Sequence, residues 1–391
     1  MWCDTAGCVY PSERAAAVSD PSRATARRVC RRRTSSTRTK LPGMEIADAR
    51  PLFAPEPAYL NTATYGLPPR TAVDALETAL DEWRHGRTEF YGWDESVGRS
   101  RRAFARLAGV DTGDVAIGGQ VSAFAGLVAA ALPDGARVLG VEGDFTSVLF
   151  PFLAQEPRGV TVELVPLDRL AEALAPHHDV VAFSVVQSAD GRVADVDAVL
   201  GAAAAHGVRT FADTTQAAGW YALDHGRFDY AACAGYKWLI SPRGTAYFTL
   251  RPELRDGLIA HGAGWYAGEV VDASYYGAPL RLAEDARRFD LSPAWHCWVG
   301  AAPALELLAE LGPERIGAHD VALANRLREG LGMPPGDSAI VSVGGLPEDA
   351  AARLQAAGVM AAGRGGALRL SFHLYTTEED VDRALSVLRS R

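Results

Sequence analysis

Long apolar runs are missing from this 391-residue sequence. Every hydrophobic stretch is interrupted within a few residues by Gly, Pro, Asp or Arg, which excludes a bilayer-crossing helix and argues against a membrane role. Cysteine is scarce. Cys3, Cys8, Cys30, Cys233 and Cys297, with no C-x-x-C spacing, exclude a disulfide framework and a zinc knuckle and point to reduced thiols in a cytoplasmic protein. Residues 1–43 hold almost no large aliphatic side chains, and nine Lys or Arg against three acids. Such a segment has little to offset the entropy of ordering, so it is expected to be a disordered N-terminal extension, dispensable for the fold. It reads as a targeting segment, being rich in Arg and Ser, or as sequence upstream of a start at Met44, where a folded pattern begins at once; the second reading is favoured. Positive charge is what the remainder lacks. Its 30 basic residues face 45 acidic ones, which disfavours a nucleic-acid surface. A G-x-G-x-x-G turn is also absent, and that argues against a nicotinamide-binding fold.

What is present, from about Pro51 onward, is alternation. Val115–Ile117, Arg137–Val141, Val160–Leu164, Val180–Val185, Arg209–Ala212 and Tyr230–Cys233 read as strands buried on both faces. Between them Ser122–Leu132, Ser147–Ala154, Asp168–Leu174 and Asp195–His206 offer polar starts and apolar helical faces. Strands separated by helices predict an α/β protein with a mostly parallel sheet covered on both sides. The last hundred residues change character, with helices expected over Trp295–Leu311 and Ala318–Gly330 and short strands over Ala339–Val343 and Leu368–Ser371. The expected organisation is a large domain over 44–290 and a smaller α+β domain over 291–391.

Ligands of open parallel sheets gather beyond the carboxyl ends of the strands. Asp213 stands at such an end, followed three residues later by Gln216, and the next strand leads to Lys237 between Tyr236 and Trp238. A lysine in apolar surroundings is held toward the neutral form that can attack an aldehyde, and a carboxylate can keep a pyridine nitrogen protonated. The pair therefore suits pyridoxal 5'-phosphate, bound as a Schiff base on Lys237 with Asp213 against the ring nitrogen and Gln216 in reach of the phenolic oxygen. Gly118-Gly119-Gln120-Val121-Ser122 offers a tight turn and free N–H groups for a phosphate, although the same residues would serve as an ordinary capped loop.

The ordered series Gly119-Gln120-Val121-Ser122, Glu142-Gly143-Asp144-Phe145-Thr146-Ser147, Asp213-Thr214-Thr215-Gln216, Tyr236-Lys237-Trp238 and Leu368 to Thr377 resembles the class V aminotransferases of the aspartate aminotransferase fold. Cysteine desulfurases, kynureninases and isopenicillin N epimerase-like proteins belong to that group. The resemblance covers roughly residues 52–389 and implies fold type I. It implies that Gln120, Val121 and Ser122 hold the phosphate, that Phe145 lies against the cofactor ring, and that Tyr236 adds a phosphate hydroxyl. It implies further that Arg369 clamps the carboxylate of a small amino-acid substrate with Gln187 assisting, and that the protein is a homodimer with its site at the subunit interface. Ser292 would then reach the partner's phosphate, or would cap the helix after Pro293. Phe145 and Tyr236 could equally be core residues, and Gln187 a loop amide.

One departure narrows the chemistry. The segment from Ala357 to Leu368 carries no thiol, where cysteine desulfurases place a nucleophilic cysteine, so desulfuration is disfavoured. An aminotransferase-like enzyme is the leading expectation. A lyase acting on a β- or γ-bond, or an epimerase, is the alternative, and a non-catalytic cofactor-binding protein comes last.

Overall fold

The computed structural model describes residues 44–389, so the extension expected over 1–43 lies outside the described residues. Among the described residues, twelve strands form three sheets. They are β1 (Ala58–Tyr59), β2 (Val115–Gly118), β3 (Arg137–Val141), β4 (Thr161–Val165), β5 (Val180–Ser184), β6 (Arg209–Asp213), β7 (Tyr230–Ala234), β8 (Ala246–Leu250), β9 (Ile340–Val343), β10 (Val359–Met360), β11 (Ala362–Arg364) and β12 (Ala367–Ser371). Seven of them make the central sheet, in the order β2-β8-β7-β6-β5-β3-β4. Only β8 runs against the others, pairing antiparallel with both β2 and β7.

The pleat of the sheet splits its side chains between two layers. Val181 and Phe183 enter one core, while Val180 and Ala182 enter the other. Helices cover both layers where local signals allow. Val196–His206, for example, starts where the Asp195 side chain accepts from the Ala198 N–H and ends at Gly207, whose φ of 68° suits a residue without Cβ. One strand departs from expectation. β4 is mostly exposed rather than buried on both faces; it is the edge strand of the sheet, with β3 as its one strand neighbour.

The described residues form one compact unit. Trp295–Leu311 packs chiefly on the helices Phe90–Ala108 and Arg70–Arg84, whereas the small sheet β11-β12-β9 has its own core of Leu327, Val341, Leu354, Leu370 and Val381. That core takes in Ala58 and Leu60 from the chain's beginning, through the parallel pairing of β1 with β10.

The topology decides where chemistry can occur. Since β2, β3, β5, β6 and β7 run in one direction, their carboxyl ends and the loops after them gather on one edge, and residues from the segments 119–121, 145–147, 213–216 and 234–237, with Ser188, line one cavity of about 410 Å³.

Candidate active site

Lys237 lies three residues beyond β7, and the chain around it is tightly held. Gly66 donates its N–H to the Tyr236 carbonyl at 2.9 Å, and a Cβ on Gly66 would fall 2.0 Å from the Lys237 carbonyl oxygen. Only glycine permits that approach. The Trp238 side chain is fully buried; its indole N–H donates to Gln216 Oε1 at 2.7 Å, and its carbonyl faces His373 Nε2 at 3.0 Å. Ile240, at φ 43°, is the one non-glycine described residue with positive φ. Strain of this kind persists where surrounding contacts over-determine the backbone.

The lysine itself is buried. Burial pushes its ammonium down to about 8, against the charge of Asp213, and the cation Arg369 pushes in the same direction. Its Nζ stands 5.1 Å from the Phe145 ring centroid and 5.7 Å from that of Tyr236. Across the cavity Asp213 is pushed up to about 6 by burial, with Thr215 and Lys237 opposing. Its Oδ1 accepts from the Thr215 N–H at 2.8 Å. A second buried carboxylate, Asp144, accepts from the Ser184 N–H at 2.7 Å, the Ser184 hydroxyl at 2.5 Å and the Phe145 N–H at 2.6 Å. That network fixes the turn carrying Phe145.

Arg369 belongs to β12 and is buried. Its guanidinium donates to the carbonyl and hydroxyl of Ser188 and to Thr64 Oγ1 at 2.8 Å, while Nε has no partner. None of these acceptors is charged. Burial, with Arg364 nearby, pushes it down to about 10.

The residues singled out in the sequence divide accordingly. Gln120, Val121, Phe145, Asp213, Gln216, Tyr236 and Lys237 line the cavity, and Arg369 reaches its wall through Ser188. Ser122 sits one residue into the helix Val121–Ala131, half-buried and outside the lining. Gln216 Nε2 is engaged by the Ala63 carbonyl at 3.0 Å and Ser188 Oγ at 2.9 Å, so both of its amide hydrogens are spent within the protein. Gln187 turns away from the cavity, donating to the Ser184 carbonyl at 3.2 Å. Ser292 is exposed and does not cap the following helix, whose N-cap is Ala294. Of the tryptophans, Trp93 and Trp298 are core while Trp83 is exposed. Sequence reasoning missed Thr64, Ser188, Asp144 and His373. Ser188 was one residue from a named candidate, and no local signal marked Thr64.

A pyridoxal cofactor can be tested against this arrangement. An amine held near neutrality, a buried carboxylate opposite it and a half-exposed aromatic ring between loops suit the aldehyde, ring nitrogen and ring face in turn. The helix Val121–Ala131 starts at the cavity with no side-chain cap, leaving N–H groups that suit a phosphate. The donor set fits. Comparison with known families decides the matter: the family model described as Aminotransferase class-V matches residues 119–343.

The chain belongs to the class V aminotransferase family. Its cofactor is pyridoxal 5'-phosphate, and its fold is the fold type I architecture of that family. Among relatives of this class V chain, isopenicillin N epimerase of Streptomyces clavuligerus is 26% identical over 88% of this chain and 97% of its own length. The uncharacterized aminotransferase YcbU of Bacillus subtilis is 27% identical over 76% and 85%. Kynureninase of Deinococcus radiodurans is 28% identical over 54% and 58%. Among solved structures, the cystine C-S lyase C-DES with its product cysteine persulfide superposes with a TM-score of 0.77, at 21% identity over 86% of this chain and 98% of that one. A likeness at that identity speaks for the fold. No described helix is long and apolar enough to cross a membrane.

Proposed function

We propose that this class V protein is an aminotransferase-like enzyme acting on an amino acid, with Lys237 as its covalent anchor and acid–base catalyst. The observation that carries the proposal is the cavity's inventory of proton carriers. Among the described lining residues Lys237 is the one amine, and neither His nor Cys lines the cavity.

Lys237 would hold the cofactor, Asp213 its ring nitrogen, the start of the helix Val121–Ala131 its phosphate, and Phe145 one side of its ring. Bound there, the cofactor supplies an electron sink for a bond broken at the substrate's α-carbon. Everything else is asked of the chain. Arg369 orients the substrate through its α-carboxylate, the two-bond geometry being one that lysine cannot reproduce. Lys237 Nζ, set free when the substrate's amine takes its place, takes the α-proton and returns it on the same side of the cavity. Moving a proton on one side between the two carbons that flank the transferred nitrogen is what amino-group transfer needs. Inversion at the α-carbon needs a second proton carrier on the opposite side, where Phe145 has none to give.

Homodimerisation with Ser292 acting across the interface belongs to the same proposal, supported by its exposed position away from its own cavity. So does a cytoplasmic setting, which free Cys233 and Cys297 suit. Epimerisation is the second reading, and the near-full-length relative from Streptomyces clavuligerus supports it.

Product analysis of the purified holoenzyme with a panel of L-amino acids separates the readings. Amino-group transfer requires an added keto acid and yields a new one. Loss of optical activity without an acceptor would establish epimerisation instead, and release of ammonia with bond cleavage would establish a lyase.

A further inference from the structure

Next to Arg369 stands a second guanidinium that the proposed reaction does not use. Arg364 lies in β11, paired antiparallel with β12 so that Ala362 faces Arg369 and Arg364 faces Ala367. Directly opposed residues share a face of the ladder, so Arg364 and Arg369 project from the same side of the hairpin. They meet on one atom. Thr64 Oγ1 accepts from Arg369 at 2.8 Å and from Arg364 at 3.4 Å. A hydroxyl has two lone pairs, so both are taken and only the Thr64 proton is left to donate.

Ser188 Oγ is in the same state, accepting from Arg369 at 3.2 Å and from Gln216 at 2.9 Å. The remaining contact of Arg364 is the carbonyl of Gly363, at 2.8 Å. Among the described residues no carboxylate pairs with either arginine. Two guanidiniums and two hydroxyls thus converge with every acceptor used and donors to spare. One α-carboxylate satisfies one guanidinium through two parallel bonds, which leaves the second cation free. The two also differ in depth: Arg369 is buried, whereas Arg364 is exposed beside the Gly365-Gly366 turn. The inner cation suits the α-carboxylate, and the outer one suits a group farther along the substrate.

We infer that the substrate is an amino acid with a second carboxylate on its side chain, and that Arg364 is the residue that selects it. The inference rests on the reading of Arg369 as the α-carboxylate clamp. Both halves are tested by titrating the holoenzyme calorimetrically with glutarate and with butyrate, two acids that lack an amine and so bind without reacting. The wild type is expected to bind glutarate about tenfold more tightly than butyrate, the size of one charge-assisted contact at a solvated site. Arg364→Gln should abolish that preference by weakening glutarate alone, and Arg369→Lys should weaken both acids. Equal affinities in the wild type, or an Arg364→Gln variant that loses butyrate as strongly as glutarate, would overturn the assignment of Arg364, the latter because both cations would then grip one carboxylate. If Arg369→Lys bound both acids like the wild type, the clamp itself would be wrong.

Discussion

Arg101 and Arg369 are the two buried arginines among the described residues, and their surroundings differ in kind. Arg101, on the helix Phe90–Ala108, meets Asp290 through two bonds of 3.0 and 2.6 Å and donates to the Val115 carbonyl at 2.5 Å. Asp290 also accepts from the Ile117 N–H at 2.8 Å, so helix, sheet and the approach to Trp295 are tied at one point. Burial would push Arg101 down, and its neighbours, Asp290 foremost, more than offset it. Arg369 has only neutral oxygens, and its burial is not offset. A cation buried with its counter-charge joins parts of a fold. A cation buried without one is held ready for an anion that comes from outside.

The largest effect expected from this difference is in stability. Asp290→Ala strands Arg101 in the interior and should cost about 3–5 kcal/mol, read from urea unfolding of the apoprotein. Arg369→Leu removes an uncompensated charge, so the apoprotein should be at least as stable as the wild type while losing substrate binding. Equal destabilisation by both substitutions would erase the distinction.

Next comes the rate. Asp213→Asn leaves an amide of similar shape and should slow kcat by roughly thirtyfold to thousandfold, the equivalent of about 2–4 kcal/mol, with KM changed far less. An Asp213→Asn variant that retains cofactor and turns over at the wild-type rate would reduce Asp213 to a strand-end cap.

The site's cost to the fold has a pH signature. Lys237 falls from 10.5 to about 8 on burial, so between these values the unfolded chain binds more protons and stability rises with pH. Below pH 8 the penalty is present in full. Lys237→Met should therefore stabilise the apoprotein at pH 7, by at most about 3 kcal/mol, with the advantage shrinking between pH 8 and 10.5. An advantage independent of pH would mean the ammonium is not strained. The sign is opposite for Asp213, which rises from 3.8 to about 6. Its penalty is present above pH 6 and relieved as pH falls toward 3.8, so both groups weigh on the fold together near neutrality.

The smallest effect concerns neighbours. Ser188→Ala removes one hydroxyl from Arg369 and Gln216 and should raise substrate KM by roughly threefold to tenfold, the worth of one hydrogen bond. Gln187→Ala should alter KM less, because that amide faces Ser184. The reverse order would restore Gln187 as the carboxylate's helper.

What the sequence made legible follows distance along the chain. Strands read from apolar runs, and the placing of Asp213 at the end of β6 and of Lys237 after β7, depend on local pattern and on the rule that parallel strands open at one edge. Burial of Val160–Leu164 did not follow from its composition, because edge position is a property of strand order. The antiparallel β8, inserted between β2 and β7, gave no signal that separates it from its parallel neighbours. Thr64 and Arg369 are 305 positions apart, and nothing in a residue's own neighbourhood announces such a meeting. His373 lay within the segment that carried the family likeness, yet its bond to the Trp238 carbonyl spans 135 positions and became visible only in three dimensions.

The central claim is that Lys237 carries the cofactor, and trapping tests it most directly. Holoenzyme reduced with borohydride, digested and analysed by mass spectrometry should show a phosphopyridoxyl group on the peptide containing Lys237 and on no other lysine-bearing peptide. In Lys237→Ala no peptide should be labelled. Label on a different residue of the wild type, or none on protein incubated with excess pyridoxal 5'-phosphate, would contradict the account.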